Sequence, residues 1–282
     1  MEAGRRWRRL VRARAAETRR LTAEVVPTSP GFWDQSARRM ADRMPLATAD
    51  DPFLRRLRRA CGTATTVVDV GAGSGRYALA LAPHVRRVVA VDSSPAMLDV
   101  LADRSAAAGV GNVDLVVSRW EDAEVPVADV VFSAFVLPLV EDAAAFLRRL
   151  DAGPRRRAFL YLGAPGSEAV YEPFWRYFHG VPRRPGPTWL DALAVLREIG
   201  VEPDVEVLDM PFRPRFASLE EAVDDFRRML ALPDTAAARS ELSALLDLWL
   251  VRRGPHLASP AGSLTTALLS WRPASTAARV GP

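Results

Sequence analysis

From Thr65 onward the chain alternates short β-branched runs with helical stretches, and this alternation restricts the fold more than any other feature. The runs are TVVDV at 66–70, VRRVVAVD at 85–92, VDLVVS at 113–118, ADVVFSA at 128–134 and RAFLYLG at 157–163. Between them, helical patterns run from about Ser74 to Ala82, through AMLDVLADRSAAA behind Pro95, and from Glu141 to Leu150. Strands joined through helices need right-handed crossovers, which place the strands parallel in one sheet. Past Gly163 the pattern loosens into a proline- and aromatic-rich stretch, with Pro165, Pro173, Pro182, Pro185 and Pro187 among Tyr171, Phe174, Trp175, Tyr177 and Phe178. A helix from Trp189 to Ile199 before Gly200, a sixth strand at 205–210, amphipathic helices at 218–231 and 236–252, and a last strand at 263–271 complete the reading. Ahead of the sheet, Phe32, Trp33, Ala37, Met40, Ala41 and Met44, then Phe53, Leu54 and Leu57, recur at helical spacing, punctuated by Pro27, Pro30 and Pro52. We therefore expect one unit in three regions: a helical lead-in or lid at 1–64, a ligand-binding core at 65–163, and the rest of the sheet with substrate-side insertions at 164–282.

The charge is uneven. Formal net charge is +4, and all 38 basic residues are arginine. Eight of them lie within residues 1–20 against only Glu2 and Glu17, so the remainder of the chain is slightly acidic. Together with a single isoleucine, Ile199, and a single asparagine, Asn112, this skew suggests GC-rich coding rather than selection for anion binding. The basic leader reads either as a phosphate-gripping helix or as a solvated one with a short apolar edge of Trp7, Leu10 and Val11. Cys61 is the lone cysteine, which excludes an intramolecular disulfide and fits a reducing compartment. No apolar run reaches membrane-spanning length, and arginines stand where a secretory apolar region would be, so a cytoplasmic location is the expectation.

The chemistry concentrates in Val67-Val68-Asp69-Val70-Gly71-Ala72-Gly73-Ser74-Gly75-Arg76. Glycines between a strand and a helix let the backbone turn tightly and approach a ligand, with free N–H groups of the helix start facing it. The spacing is G-x-G-x-G, and Arg76 occupies the position where a dinucleotide fingerprint needs its third glycine. The G-x-x-x-x-G-K-[ST] order of a triphosphate loop is absent. Asp92 ends the next strand, where a carboxylate can accept both hydroxyls of a ribose; the alternative is a capping aspartate before Ser93-Ser94-Pro95.

The ordered set VVDVGAGSGRYALALA, VVAVDSSPAML, VSRWEDAEVPVADVVFSAFVLPLVED and FLYLG resembles the motifs of class I S-adenosylmethionine (SAM)-dependent methyltransferases over about residues 65–163. The resemblance implies an α/β fold: a doubly wound, mostly parallel seven-stranded Rossmann-like sheet with N-terminal helices and a helical insertion near the C-terminus. It implies SAM as cofactor and S-adenosylhomocysteine (SAH) as product. Asp69 and the turn Gly71, Ala72, Gly73, Ser74 and Gly75 would cradle the methionine end. Asp92 would hold the ribose, and Ser93 and Met97 would border the adenosine. Arg119, Trp120 and Glu121 would flank the adenine, with Trp120 stacking or serving as a core aromatic. Ser133, Ala134 and Phe135 would line the methyl-transfer side, and Trp33 and Arg38 are candidates to reach over the cofactor.

No catalytic base stands out, and methyl transfer needs one only when the acceptor must lose a proton. His84, His179 and His256 are scattered and lack metal-ligand spacing. At the end of the fourth strand the chain reads SAFVLP, not the [DNS]-P-P-[YF] tetrapeptide of methyltransferases acting on base amines. The expected acceptor is a small molecule, in a pocket built from 164–189 and 211–262. An RNA or protein acceptor gripped by the arginine leader, and a non-catalytic SAM-fold binding protein, are the alternatives. No membrane partner is expected, and homodimerisation is left open.

Overall fold

A computed structural model describes residues 2–21, 31–164, 170–211 and 215–273. Helix α1 (Glu2–Leu21) buries Trp7, Val11, Ala15 and Thr18, one stripe at helical spacing. It is followed by α2 (Phe32–Arg43) and by α3 (Pro52–Ala60), where Pro52 fills the first turn and Asp51 accepts the Phe53 and Leu54 N–H groups. Then come β1 (Thr66–Val70), α4 (Ala78–Leu81), β2 (Arg87–Asp92), α5 (Pro95–Ala107), β3 (Val113–Val117), β4 (Ala128–Ala134), α6 (Ala143–Ala152) and β5 (Pro154–Gly163). The C-terminal part holds α7 (Glu172–His179), α8 (Trp189–Glu198), β6 (Asp204–Pro211), β7 (Arg215–Phe216), α9 (Leu219–Met229), α10 (Ala236–Trp249), β8 (Val251–Arg253), β9 (His256–Ala258) and β10 (Ser263–Trp271).

Seven strands form one sheet in the order β3-β2-β1-β4-β5-β10-β6, parallel except for β10, which runs antiparallel to both neighbours. Strand alternation splits the core in two. On one face Val67, Val88, Val130, Phe132, Phe159 and Tyr161 pack with Phe53 of α3, Tyr77, and Phe174 and Phe226 of the C-terminal helices. On the other, Val68, Val89, Val131, Leu160 and Leu269 pack with α1, α6 and α8 through Trp7, Phe146, Leu147, Val195 and Leu196. This is the expected doubly wound, seven-stranded α/β architecture. The small β7-β9-β8 sheet sits within the C-terminal insertion.

Several boundaries differ from the sequence reading. The helix expected from Ser74 shrinks to Ala78–Leu81, because Gly71, Gly73 and Gly75 all adopt positive φ and keep residues 71–77 in the turn. The connection from β3 to β4 carries only a single 3₁₀ turn, Trp120–Asp122. The helix expected at Glu141 begins at Ala143, since Asp142 caps it by accepting the Ala145 N–H. Glu172–His179 forms a helix inside the proline-rich stretch, with Pro173 tolerated in its first turn. The helix expected to reach residue 252 stops at Trp249, and the three-residue strands beyond it are too short to show a period. Pro27, Pro30 and Pro165 lie outside the described residues.

Helix α1 is packed, not frayed. Trp7 is fully buried and its indole N–H donates to the Val140 carbonyl at 2.8 Å. Arg6 pairs with Asp191, Arg8 with Asp142 and Arg12 with Glu141, while Glu198 accepts the Ala3 and Gly4 N–H groups at the helix start. Among the described residues, no helix is long and apolar enough to cross a membrane.

Candidate functional site

The glycine turn is fastened to the end of β2. Gly71 and Ala72 N–H groups both donate to the Val91 carbonyl, at 2.8 and 3.0 Å. The Gly73 N–H donates to Asp92 Oδ2 at 2.8 Å, and the Ser94 N–H to Asp92 Oδ1 at 2.9 Å. Asp92 thus organises the turn from below, while Ser94, not Asp92, caps α5 by accepting the Met97 N–H. Gly71 cannot be another residue without cost. Its φ is +73°, and a Cβ there would stand 2.2 Å from Val136 Cγ2. We expect Gly71→Ala to destabilise by about 2–4 kcal/mol, part left-handed strain and part overpacking. In the Gly71→Ala/Val136→Ala pair the overpacking is relieved and only the strain remains, which a double-mutant cycle by denaturant titration will read.

Register places Asp69 opposite Ala90, so Asp69 and Asp92 project from the same face of neighbouring strands. Asp69 is 3 % exposed. Burial pushes its carboxyl well above the usual carboxylate range, the Asp92 charge adds to that, and the Ala78 N–H opposes it. Burial also raises Asp92, against the Ser94 and Gly73 N–H groups that favour its charge; Asp34 adds a smaller upward push. Among the described residues no cationic side chain pairs with either. A raised folded-state pKa means that the folded chain binds the Asp69 proton more tightly than the unfolded chain does. The unliganded protein therefore loses stability as pH climbs from the ordinary carboxylate value, about 3.9, to the raised one, and the full penalty persists above it. Asp69→Asn is expected to remove that slope and raise the melting temperature at neutral pH, read by thermal melts across a pH series.

The remaining sequence candidates fall into two groups. Near the turn, Met97 is buried, with its sulfur 3.9 Å from where a Gly73 Cβ would lie, and Ser93 is exposed beside it. Glu121 is partly buried, 3.7 Å from the exposed Arg119. Ala134 and Phe135 are partly exposed at the end of β4, and Phe135 holds φ +63°, its N–H donating to the Tyr161 carbonyl and its ring edge-on to Tyr161. The other group is turned inward. Trp120 is 5 % exposed within the core, with the Arg149 guanidinium 4.8 Å over its ring, so the core reading of this aromatic describes its setting better than an open stacking face. Ser133 is fully buried and its hydroxyl donates to the Val70 carbonyl, tying β4 to β1 rather than lining a cavity. Arg38 is exposed and faces Asp103 at 3.5 Å across the α2–α5 interface. Trp33 packs with Met97 and Val100 in that same interface.

Sequence reasoning missed several residues here. Asp34 of α2 accepts the Ser94 hydroxyl at 2.5 Å, joining α2 to the start of α5. Arg104 donates to the Ser74 carbonyl and hydroxyl and to the Ala41 carbonyl, joining α2 to the turn from the other side. Asp51 accepts from Arg76 and from the Tyr77 hydroxyl beneath the turn. Each spans more than 20 residues of sequence, so no local spacing announces it. The aromatics expected to build an acceptor pocket serve largely as a second core: Tyr171 and Phe174 pack on Phe226, and Phe174 also on Trp249. His179 Nε2 lies 2.7 Å from the Leu230 carbonyl with its ring against Trp175, a packing role.

Residues 67–152, from β1 through α6, match the family described as a methyltransferase domain. An uncharacterized protein of Haemophilus influenzae is 29 % identical over 187 residues, which is 64 % of this chain and 67 % of the relative. The YcgJ protein of Bacillus subtilis superposes with a TM-score of 0.52 at 17 % identity, covering 78 % of this chain and 97 % of that one. The magnesium protoporphyrin IX methyltransferase of Synechocystis PCC 6803, solved with bound SAH, superposes with a TM-score of 0.50 at 15 % identity, over 88 % of this chain and 95 % of that one. At such identities the two structures speak for the fold. Residues 67–152 thus match a methyltransferase domain, and they lie in a fold that this chain shares with a methyltransferase of known structure.

Proposed function

We propose that the protein transfers a methyl group from SAM to a small-molecule acceptor, with SAM held across the C-terminal ends of β1, β2 and β4. One observation carries this reading: two acidic side chains, the buried Asp69 and the partly buried Asp92, flank a turn of three positive-φ glycines and have no cationic partner among the described residues. Such a site fits a ligand that brings an ammonium group and a vicinal diol. Each Asp92 oxygen accepts one backbone N–H and keeps a lone pair for a ribose hydroxyl. Asp69 and the turn from Gly71 to Gly75 would receive the methionine end, Ser93 and Met97 the adenosine, and Glu121 the adenine amino group, with Arg119 and the Trp120 backbone at its edge. When bound, SAM supplies a methyl group on a positively charged sulfur that is already electrophilic.

The residues around it hold the acceptor in line and keep water out, which supplies much of the rate without a dedicated base. Ala134 and Phe135 stand at the end of β4 on the side where an acceptor would approach. We propose α2, tied to the turn by Asp34 and Arg104, as the cover over the donor, rather than the whole of residues 1–64. A small-molecule acceptor is favoured over RNA because arginines of α1 are committed within the chain, as the pairs of Arg6, Arg8 and Arg12 illustrate. The name of the Synechocystis neighbour, a magnesium protoporphyrin IX methyltransferase, supports a small-molecule acceptor on this fold. The deciding experiment is calorimetry of the full chain with SAM and, in parallel, NAD⁺, followed by mass spectrometry of neutral acceptors for the gain of one methyl. Saturable binding of SAM alone supports the reading. A well-folded protein that binds neither, or that prefers NAD⁺, ends it.

A further inference from the structure

Among the described residues, two that are not glycine hold positive φ, Phe135 and Ala231. Ala231 is explained by its place after α9, where the Ala231 and Leu232 N–H groups close the helix end onto the Arg228 and Arg227 carbonyls. Phe135 ends no helix. It stands one residue beyond β4 at φ +63°, a conformation that strains a large side chain and suits glycine. The bend has a use, because the next residue, Val136, presses on Gly71. Glycine would serve that bend equally well; what glycine lacks is the ring.

The Phe135 ring forms the outer end of an aromatic column. It meets Tyr161 edge-on with ring centres 5.2 Å apart, and Tyr161 stacks on Phe53 at 4.5 Å. Tyr161 and Phe53 are fully buried, and the Tyr161 hydroxyl is bonded to that of Thr266. The Phe135 N–H donates to the Tyr161 carbonyl at 2.8 Å, so one residue holds both its backbone and its ring. Of the three rings only that of Phe135 belongs to a partly exposed residue. It lies in a run, Ala134 to Val140, without a polar side chain, in which Leu139 is exposed and Val136 and Pro138 partly so. This run begins beside the glycine turn, since Ser133 stands in register with Val70.

We propose that Phe135 is the specificity-determining residue of the acceptor site and that it selects a planar aromatic acceptor, such as a phenol, over an aliphatic one. The inference rests on the methyl-transfer reading and narrows its acceptor class. A rigid, half-exposed ring gains most from another aromatic ring, in offset-stacked or edge-on contact. The uncharged run around it takes an apolar body without stranding a charge. A ring fixed by the column also orients its partner, because two aromatic planes in contact leave few ways to lie, and in-line transfer requires one.

The test uses the full chain with SAH present and two probes of like size bearing the same hydroxyl, 2-naphthol and its saturated analogue decahydro-2-naphthol. Both are titrated by ligand-observed NMR, with SAH affinity measured in the same samples. 2-Naphthol is expected to bind about five- to tenfold tighter. Phe135→Leu is expected to bring that ratio to about one, and Phe135→Tyr to retain it. A ring that merely packed on Tyr161 would, when lost, weaken both probes alike and leave the ratio intact, and that result overturns the proposal. In the wild-type protein, isotope-filtered NOEs are expected between bound naphthol and the Phe135 ring; naphthol bound without them overturns it independently of any variant. Normal SAH binding with equal affinity for the two probes, or with neither bound, also overturns the role of Phe135 alone. A folded protein that never binds SAH overturns the methyl-transfer reading beneath it.

Discussion

Asp92→Ala is expected to weaken SAM and SAH binding by about 100-fold or more, while the protein still melts cooperatively. The size follows from what the carboxylate does in two places. In our reading it accepts two ribose hydroxyls, and hydrogen bonds to a charged acceptor are worth about 1.5–3 kcal/mol each. It also accepts the Gly73 and Ser94 N–H groups, so its removal frees the turn that must be preorganised for the donor. Asp92→Asn separates the two contributions. It keeps one acceptor oxygen but places an NH₂ against either a backbone N–H or a hydroxyl, and an intermediate loss is expected. Calorimetry reads the affinities, and circular dichroism melts check the fold. A Kd unchanged in Asp92→Ala would remove Asp92 from the cofactor site and with it the main support for the placement of the ribose.

Trp7→Ala is expected to cost about 3–5 kcal/mol of folding stability, the range for truncating a fully buried large aromatic. For a chain of this size that corresponds to a fall on the order of 10 °C in Tm. Trp7 is fully buried against the α6–α8 side of the sheet and donates to Val140. The effect is expected to reach the site. Trp7, Arg8 and Arg12 all engage residues 140–142, and a few residues earlier Val136 presses on Gly71. Loss of the α1 anchor therefore loosens the support of the glycine turn, and SAM affinity should fall alongside Tm. Trp7→Phe retains most of the packing and is expected to lose about 1–2 kcal/mol, mainly from the stranded Val140 carbonyl. A Tm for Trp7→Ala within a degree of wild type would mean that α1 is a dispensable appendage.

What the sequence revealed depended on whether the determining contacts were local. The β-branched runs at 66–70 and 128–134 and the final run at 263–271 fall where strands form, because burial on a sheet imposes its own period. The glycine turn and Asp92 were legible for the same reason: a positive-φ requirement and a strand-end carboxylate are written in adjacent letters. Trp120 and Ser133 show the limit. Their positions after β3 and at the end of β4 were read correctly, but which way each side chain turns depends on Arg149 and on the Val70 carbonyl, partners set by the tertiary fold. The arginine leader misled in another way. Its charge density suggested a solvated or phosphate-binding helix, whereas its meaning lies in carboxylates 129 to 185 residues distant. The ion pair of Arg43 with Asp225 was invisible to any local pattern, its partners being 182 residues apart.

The antiparallel β10 carries a consequence for how the chain is made. It sits between β5 and β6 in the sheet yet follows both in sequence, with α9, α10 and the small three-stranded sheet synthesised in between. Until residues 263–271 leave the ribosome, β5 and β6 each present a bare edge, and the strand that joins them does not yet exist. The nascent protein must therefore carry a largely finished cofactor half beside two sticky strands, a state that chaperones recognise and that aggregates when they are scarce. Chains cut short before Ser263 would be trapped there permanently.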